Sequence, residues 1–232
     1  MNILVTGGTS AVGRVLVGML AGRGHHVCFT YHRNHELARQ LCQAHDNVEG
    51  RLVDFTQPES VASLAGEVAQ LDVEALVNNA YVGTPMGTHF HRTPMADFAQ
   101  AFKANVEPVV TITQACIAAM RRKRAGRIVT VGSLATTGQP PAGYSVYAAT
   151  KAYLQQLAKS WHSEYSRLGI WSACVLPDFM ATALHGDLVE HLAQQQLAHH
   201  SRLLTPDEVA LAIVRLLEGE APFEQTQTIT VN

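Results

Sequence analysis

The sequence predicts a doubly wound α/β fold, a single-domain Rossmann-type parallel sheet of seven strands with helices on both faces. Short apolar or β-branched runs alternate with helix-like segments along the whole chain. The first run passes through a glycine-rich turn directly into a helix. No linker, internal repeat or low-complexity tract breaks the alternation, so residues 1–232 read as one domain long enough to bury a single core.

The elements follow in order. The apolar run 1–6 is a strand, residues 7–13 (Gly7-Gly8-Thr9-Ser10-Ala11-Val12-Gly13) are the turn, and 14–20 begin a helix. Strands are predicted over 27–31, 48–54 and 73–80, then a helix over 95–120 and a strand over 127–132. A helix over 147–168 leads to a strand over 170–176. Residues 182–200 read as mostly helical, 206–218 as helical and 228–231 as the last strand.

Composition narrows the function. The chain is 47% hydrophobic, with formal net charge −2 and a sequence pI near 6.6, which argues against nucleic-acid binding through a broad basic surface. No basic stretch precedes an apolar one and no apolar run reaches membrane-spanning length, so a soluble cytoplasmic protein is expected. Cys28, Cys42, Cys116 and Cys174 lack paired spacing and read as reduced thiols. Among the twelve histidines, His89/His91 and His199/His200 are the tightest clusters, and neither has Cys or acidic companions at metal spacing.

Chemistry is concentrated in residues 133–151. Tyr147 and Lys151 lie one helical turn apart on one face, where an ammonium would favour the phenolate and let the pair exchange a proton near neutral pH. Ser133 follows the strand at 127–132, at the carboxyl edge where open parallel sheets bind ligands, and its hydroxyl could hold a carbonyl oxygen. The turn at 7–13 offers backbone N–H groups and a helix N-terminus to a pyrophosphate, and it lacks the Gly-Lys-Ser/Thr of a Walker loop, so a dinucleotide is expected. No acid lies between His25 and His35. Arg33, helped by His32 and Ser10, therefore points to the 2′-phosphate of NADP(H), the alternative being an arginine that caps a solvated turn. Asp54 is placed to meet an adenine or to cap the next crossover.

The turn at 6–13, Asp54, Asn78-Asn79-Ala80, Asn105, Ser133, Tyr147-x-x-x-Lys151 and the segment 177–182 together resemble the short-chain dehydrogenase/reductase family in order and interval. The resemblance covers essentially the whole chain. It implies that Tyr147 is the general acid/base, Ser133 polarises the substrate carbonyl, and Lys151 binds the nicotinamide ribose and lowers the Tyr147 pKa. It makes Asn105 part of a water-linked proton relay to Lys151. It places Asp54 and Phe55 at the adenine, Asn79 at the adjacent ribose, and Met180 and Thr182 at the carboxamide; Gly7, Gly8, Thr9, Ser10, Val12, Gly13, Ala80 and Pro177 complete the cofactor set. Three residues depart from the family pattern: Ala11 for the second turn glycine, Tyr81 for the glycine after Asn-Asn-Ala, and Asp178 for the glycine after Pro177.

Within that family the closing segment, residues 199–210 and 227–232, is similar to that of the 3-oxoacyl-[acyl-carrier-protein] reductases. That implies a carrier-bound 3-oxoacyl thioester as substrate, a homodimer or homotetramer, and carrier docking at Arg124 and, one position out of register, Arg167. Arg124 belongs to the basic run 121–124, which also reads as the solvated end of a helix. Two alternatives stand beside this: a carbonyl or pteridine reductase of the same family, because Tyr31-His32-Arg33-Asn34 is similar to the pteridine reductase turn, and a non-catalytic NADP(H)-binding module.

Overall fold

The computed structural model describes residues 1–85, 87–180, 182, 202–222 and 226–229. Seven strands form one sheet: β1 (Asn2–Val5), β2 (His26–Tyr31), β3 (Val48–Leu52), β4 (Ala75–Asn78), β5 (Gly126–Val131), β6 (Ile170–Pro177) and β7 (Thr226–Ile229). Every pairing is parallel, in the order β3-β2-β1-β4-β5-β6-β7. The helices are α1 (Ala11–Gly22), α2 (His35–Ala44), α3 (Pro58–Glu67), α4 (Met95–Asn105), α5 (Glu107–Lys123), α6 (Ser145–Tyr165) and α7 (Pro206–Glu218).

The strands are apolar on both faces because helices cover both. In β1, Ile3 and Val5 pack with α1 and α7 through Leu16, Val17, Ile213 and Val214, while Leu4 faces α3 and α5 through Leu64, Ile112 and Met120. β4 alternates in the same way, Ala75 and Val77 against Leu76. After β3 the chain crosses back to lay β4 on the other side of β1. This reversal opens a crevice beyond the carboxyl ends of β1 and β4, the place where such sheets take ligands.

Helix 206–218 begins and ends as predicted, and its start explains why. Thr205 Oγ1 accepts from Glu208 N–H at 3.3 Å and Glu208 Oε2 accepts from Thr205 N–H at 2.8 Å, a capping box ahead of an apolar stripe. The helix expected over 95–120 is instead two, α4 and α5, jointed at Val106 with φ −101° and ψ −53°. Pro108 causes the break: it has no N–H to give the Ala104 carbonyl one turn back. β3 and β4 are shorter than expected, and β7 starts two residues earlier; Thr230 and Val231 lie outside the described residues, as does nearly all of the segment 182–200. The four cysteines are free, three of them buried, and among the described residues no helix is long and apolar enough to cross a membrane.

Candidate active site

The turn after β1 is held from both sides. Buried Thr6 Oγ1 accepts from the N–H groups of Asn79 and Ala80 at 2.9 and 3.0 Å, tying β1 to the end of β4. Gly7 takes φ +69°, and a Cβ on Gly13 would fall 2.1 Å from the Gly7 carbonyl oxygen, so turn and helix meet at a distance only glycine permits. Ser10 caps α1, its Oγ accepting from Gly13 N–H at 3.1 Å, and the first intrahelical bond runs from Arg14 N–H to the Ser10 carbonyl at 2.9 Å. The amides of Ala11 and Val12 therefore have no intrahelical acceptor and sit at the positive end of the helix. That arrangement fits the pyrophosphate of a dinucleotide.

Asn79, expected at a ribose, braces the turn through its amide nitrogen. Its Nδ2 donates to the Thr6 carbonyl at 2.8 Å, the Gly7 carbonyl at 3.0 Å and Ser10 Oγ at 3.1 Å. At the end of β2, His32 and Arg33 are exposed, and His32 Nε2 lies 3.4 Å from Asp54 Oδ2. Asp54 Oδ1 accepts from the N–H and hydroxyl of Thr56 at 2.8 and 2.7 Å. These bonds hold its carboxyl below the usual carboxylate range, with smaller help from His32 and Arg33. Asp54 thus shapes the turn into α3 without capping that helix, whose N-cap is Gln57. Phe55 is buried in the core with Val53 and Val61.

A cleft of about 710 Å³ runs from this turn to the ends of β5 and β6. It brings together Thr9, Ser10, Val12 and Asn79 with Ser133, Tyr147, Lys151, Pro177, Met180 and Thr182. Gly7, Gly8 and Gly13 form the turn behind this wall, and His32, Arg33, Asp54, Phe55, Ala80 and Asn105 are not part of the lining.

Ser133 extends β5 in an open conformation, φ −162°, and its Oγ accepts from Ala135 N–H at 3.2 Å. Tyr147 is in the first turn of α6 and Lys151 one turn later, both buried. Burial pushes the Tyr147 phenol above its ordinary range, against a hydrogen bond with the Ser133 side chain that lowers it. Lys151 Nζ donates to the Val131 carbonyl at 2.7 Å, and burial draws its pKa down to about 8, against the Cys174 thiol nearby. In this geometry the causes acting on the Tyr147 phenol are burial and the Ser133 hydrogen bond. The ammonium lies 5.9 Å from the centre of the Tyr147 ring and has a carbonyl for its strong hydrogen bond, so desolvation governs both groups. Near pH 7 the phenol holds its proton, the state a general acid needs.

Asn105, expected in a relay, ends α4 as a buried clamp. Its Oδ1 accepts from Val82 N–H at 2.7 Å, and its Nδ2 donates to the carbonyls of Val82 and Ala101, each at 3.1 Å. It fastens the segment that carries Tyr81. Sequence reasoning passed over Tyr144, which is buried in the cleft wall with its ring edge-on to Tyr147 at 5.7 Å; the three-residue spacing at a helix start was the available signal. It also passed over Thr6 and the Val131 carbonyl, whose roles depend on partners distant in sequence. Arg124 and Arg167 are exposed, but they precede β5 and β6 at the amino edge of the sheet, the edge opposite the cleft.

The family model described as "short chain dehydrogenase" matches residues 1–193. The 3-oxoacyl-[acyl-carrier-protein] reductase FabG of Vibrio cholerae is 30% identical over 233 residues, covering 99% of this chain and 94% of that protein. A solved short chain dehydrogenase/reductase family protein superposes with a TM-score of 0.85 at 29% identity, over 98% of this chain and 94% of the other. A short chain dehydrogenase from Burkholderia cenocepacia, solved in complex with NADP, gives a TM-score of 0.84 at 25% identity, over 98% and 95%. With a parallel seven-stranded sheet, a glycine turn braced at the carboxyl edge, and serine, tyrosine and lysine gathered in the same cleft, the chain belongs to the short chain dehydrogenase family.

Proposed function

We propose that this protein is an NADPH-dependent reductase that converts a ketone to a secondary alcohol, its substrate a 3-oxoacyl thioester on acyl-carrier protein. The observation that carries the reading is the cleft itself: Ser133, Tyr147 and Lys151 stand at one end, and the amides of Ala11 and Val12 at the other. The neighbour solved with NADP and the carrier-protein reductase relatives support the same reading. Ala11 and Val12 would hold the pyrophosphate, and exposed Arg33 and His32 would meet the 2′-phosphate.

NADPH, when bound, supplies the hydride for the carbonyl carbon. Ser133 donates a hydrogen bond to the carbonyl oxygen and stabilises the charge that grows there. Tyr147 gives that oxygen its proton, and Lys151, with a pKa near 8, is poised to pass a proton on to the phenol. Carrier docking at Arg124 and Arg167 belongs to the reading, but from the opposite edge of the sheet those cations act on encounter with an acidic partner and take no part in the chemistry. A homodimer or homotetramer would cover the outer faces of α4 and α6, where exposed Phe102 and Tyr153 meet edge to face at 5.3 Å.

A second reading, a small planar carbonyl compound or pteridine, is favoured by the rings of Tyr81, Tyr144 and Phe179 in the cleft wall. NADPH oxidation measured side by side with 3-oxoacyl thioesters, pteridines, quinones and simple ketones separates the two. The mechanism is tested by Tyr147→Phe, which keeps the ring and removes the proton donor. Turnover should fall by about 100-fold to 10,000-fold with NADPH affinity unchanged; near-wild-type turnover would falsify the assignment.

A further inference from the structure

Tyr81 stands where the family motif has glycine, and its surroundings give the ring a task. Lys151 is nearly sealed from water, 4% exposed, and among the described residues its one hydrogen bond is to the Val131 carbonyl on β5. The ring of Tyr81 lies beside this ammonium, its centre 5.1 Å from Nζ, closer than the 5.9 Å to the Tyr147 ring. The other groups facing Nζ are the Cys174 thiol on β6 and Tyr147 on its own helix, and among the described residues no carboxylate pairs with it. Tyr81 also packs against Tyr147, ring centres 5.1 Å apart at 77°, and Tyr144 meets the same ring at 5.7 Å and 84°. The loop that presents Tyr81 is itself pinned by the Asn105 clamp on Val82.

We propose that Tyr81 is a positioning residue: the ring forms a cation–π shelf that keeps the Lys151 side chain as an ammonium inside the cleft, and it fixes the Tyr147 phenol from one side. The shelf compensates in part for lost hydration, since cation–π attraction strengthens where water is excluded. A glycine at this position offers no such support, so a bare substitution by the motif residue also admits water and confounds the comparison. The informative variants keep the bulk and change the π face.

The inference rests on the reductase reading only for its importance to catalysis, and its test needs no turnover. The chain has four lysines, Lys103, Lys123, Lys151 and Lys159, so protein labelled with carbon-13 at the lysine ε position gives four resonances to follow against pH. Lys151→Arg identifies the signal of interest. Tyr81→Leu, which keeps the site dry and removes the π face, should lower the Lys151 midpoint by about one pH unit, a loss of about 1.4 kcal/mol, while Tyr81→Phe leaves it in place. A Lys151 midpoint equal in wild type, Tyr81→Phe and Tyr81→Leu overturns the proposal. Should the leucine variant not fold, Tyr81→Trp, with the stronger π face, must raise the midpoint, and an unmoved one is equally fatal. A failed reductase reading would appear separately, as no NADPH oxidation with any ketone while the lysine titration still responds to residue 81.

Discussion

Lys151→Met removes a charge that folding has to strip of water, and the consequence for stability can be worked through. The side chain is 4% exposed, and its pKa falls from 10.5 to about 8, mainly through burial, with Cys174 opposing. A base whose folded pKa lies below its unfolded one binds more protons unfolded than folded between the two values. Stability therefore rises with pH across that interval and is lowest below the folded pKa. The gap corresponds to about 3 kcal/mol at neutral pH. Between about pH 7 and about pH 9.5 the wild type should regain about 2 kcal/mol of this, while the methionine variant, having nothing to titrate there, regains none. Losing the donor to the Val131 carbonyl costs the variant about 1 to 3 kcal/mol, but this offset does not depend on pH. The thiols of Cys28 and Cys116, both raised to about 12, are common to the two proteins and cancel. Urea unfolding followed by far-UV circular dichroism, run on both proteins across the interval, gives the stability difference directly. A difference that stays flat, or that tilts toward the variant as pH rises, refutes the claim that Lys151 is buried as a charge.

Two further changes probe the ends of the cleft. Arg33→Ala should raise the Michaelis constant for NADPH about 10-fold, roughly one charged hydrogen bond, and leave that for NADH nearly unchanged; equal effects in steady-state kinetics count against a phosphate contact. Asn105→Ala deletes three hydrogen bonds from a buried amide and leaves both polar groups of Val82 without their partner. It should cost about 2 to 3 kcal/mol, seen as a lower Tm by calorimetry, and a loss below about 0.5 kcal/mol would show that Val82 finds other partners.

Most of the fold was legible because its signals are local. Alternating apolar runs mark strands buried on both faces, and the Thr205/Glu208 box and the glycines of the first turn announce themselves by type and spacing. Pro108 was equally visible, yet the apolar pattern on both sides of it suggested one helix where the missing N–H makes two. The positions of Ser133, Tyr147 and Lys151 were legible for the same reason, being set by one strand end and one helical turn. Their electrostatics were not. Whether a lysine four residues from a tyrosine lowers the phenol pKa depends on how deeply both are buried and on what else the ammonium touches. Val131, twenty residues earlier, supplies that partner. The partners of Asn79 and Asn105 were hidden for a related reason: their amides bond to Thr6, 73 residues away, and Val82, 23 residues away. Spacing along the chain carries no trace of such pairs.

The same contrast separates the chemistry of this site from its specificity. Ser133 and the Val131 carbonyl ride on β5, which is paired to β4 on one side and β6 on the other, and α6 packs on β6 through Ala158 and Trp161 and on α5 through Leu154. Groups so fixed keep their geometry as a reaction proceeds, which is the condition for preorganised stabilisation of charge. The wall from Pro177 onward is built from a connection: Asp178 N–H donates to the Ile229 carbonyl at 2.9 Å, Phe179 N–H to Asp178 Oδ1 at 2.8 Å, and Leu204 N–H to the Phe179 carbonyl at 3.3 Å. Asp178 and Tyr81, two of the departures from the family pattern, lie on connections that follow β6 and β4, and both line the cleft. Sequence can change at those positions without disturbing the sheet that carries Ser133.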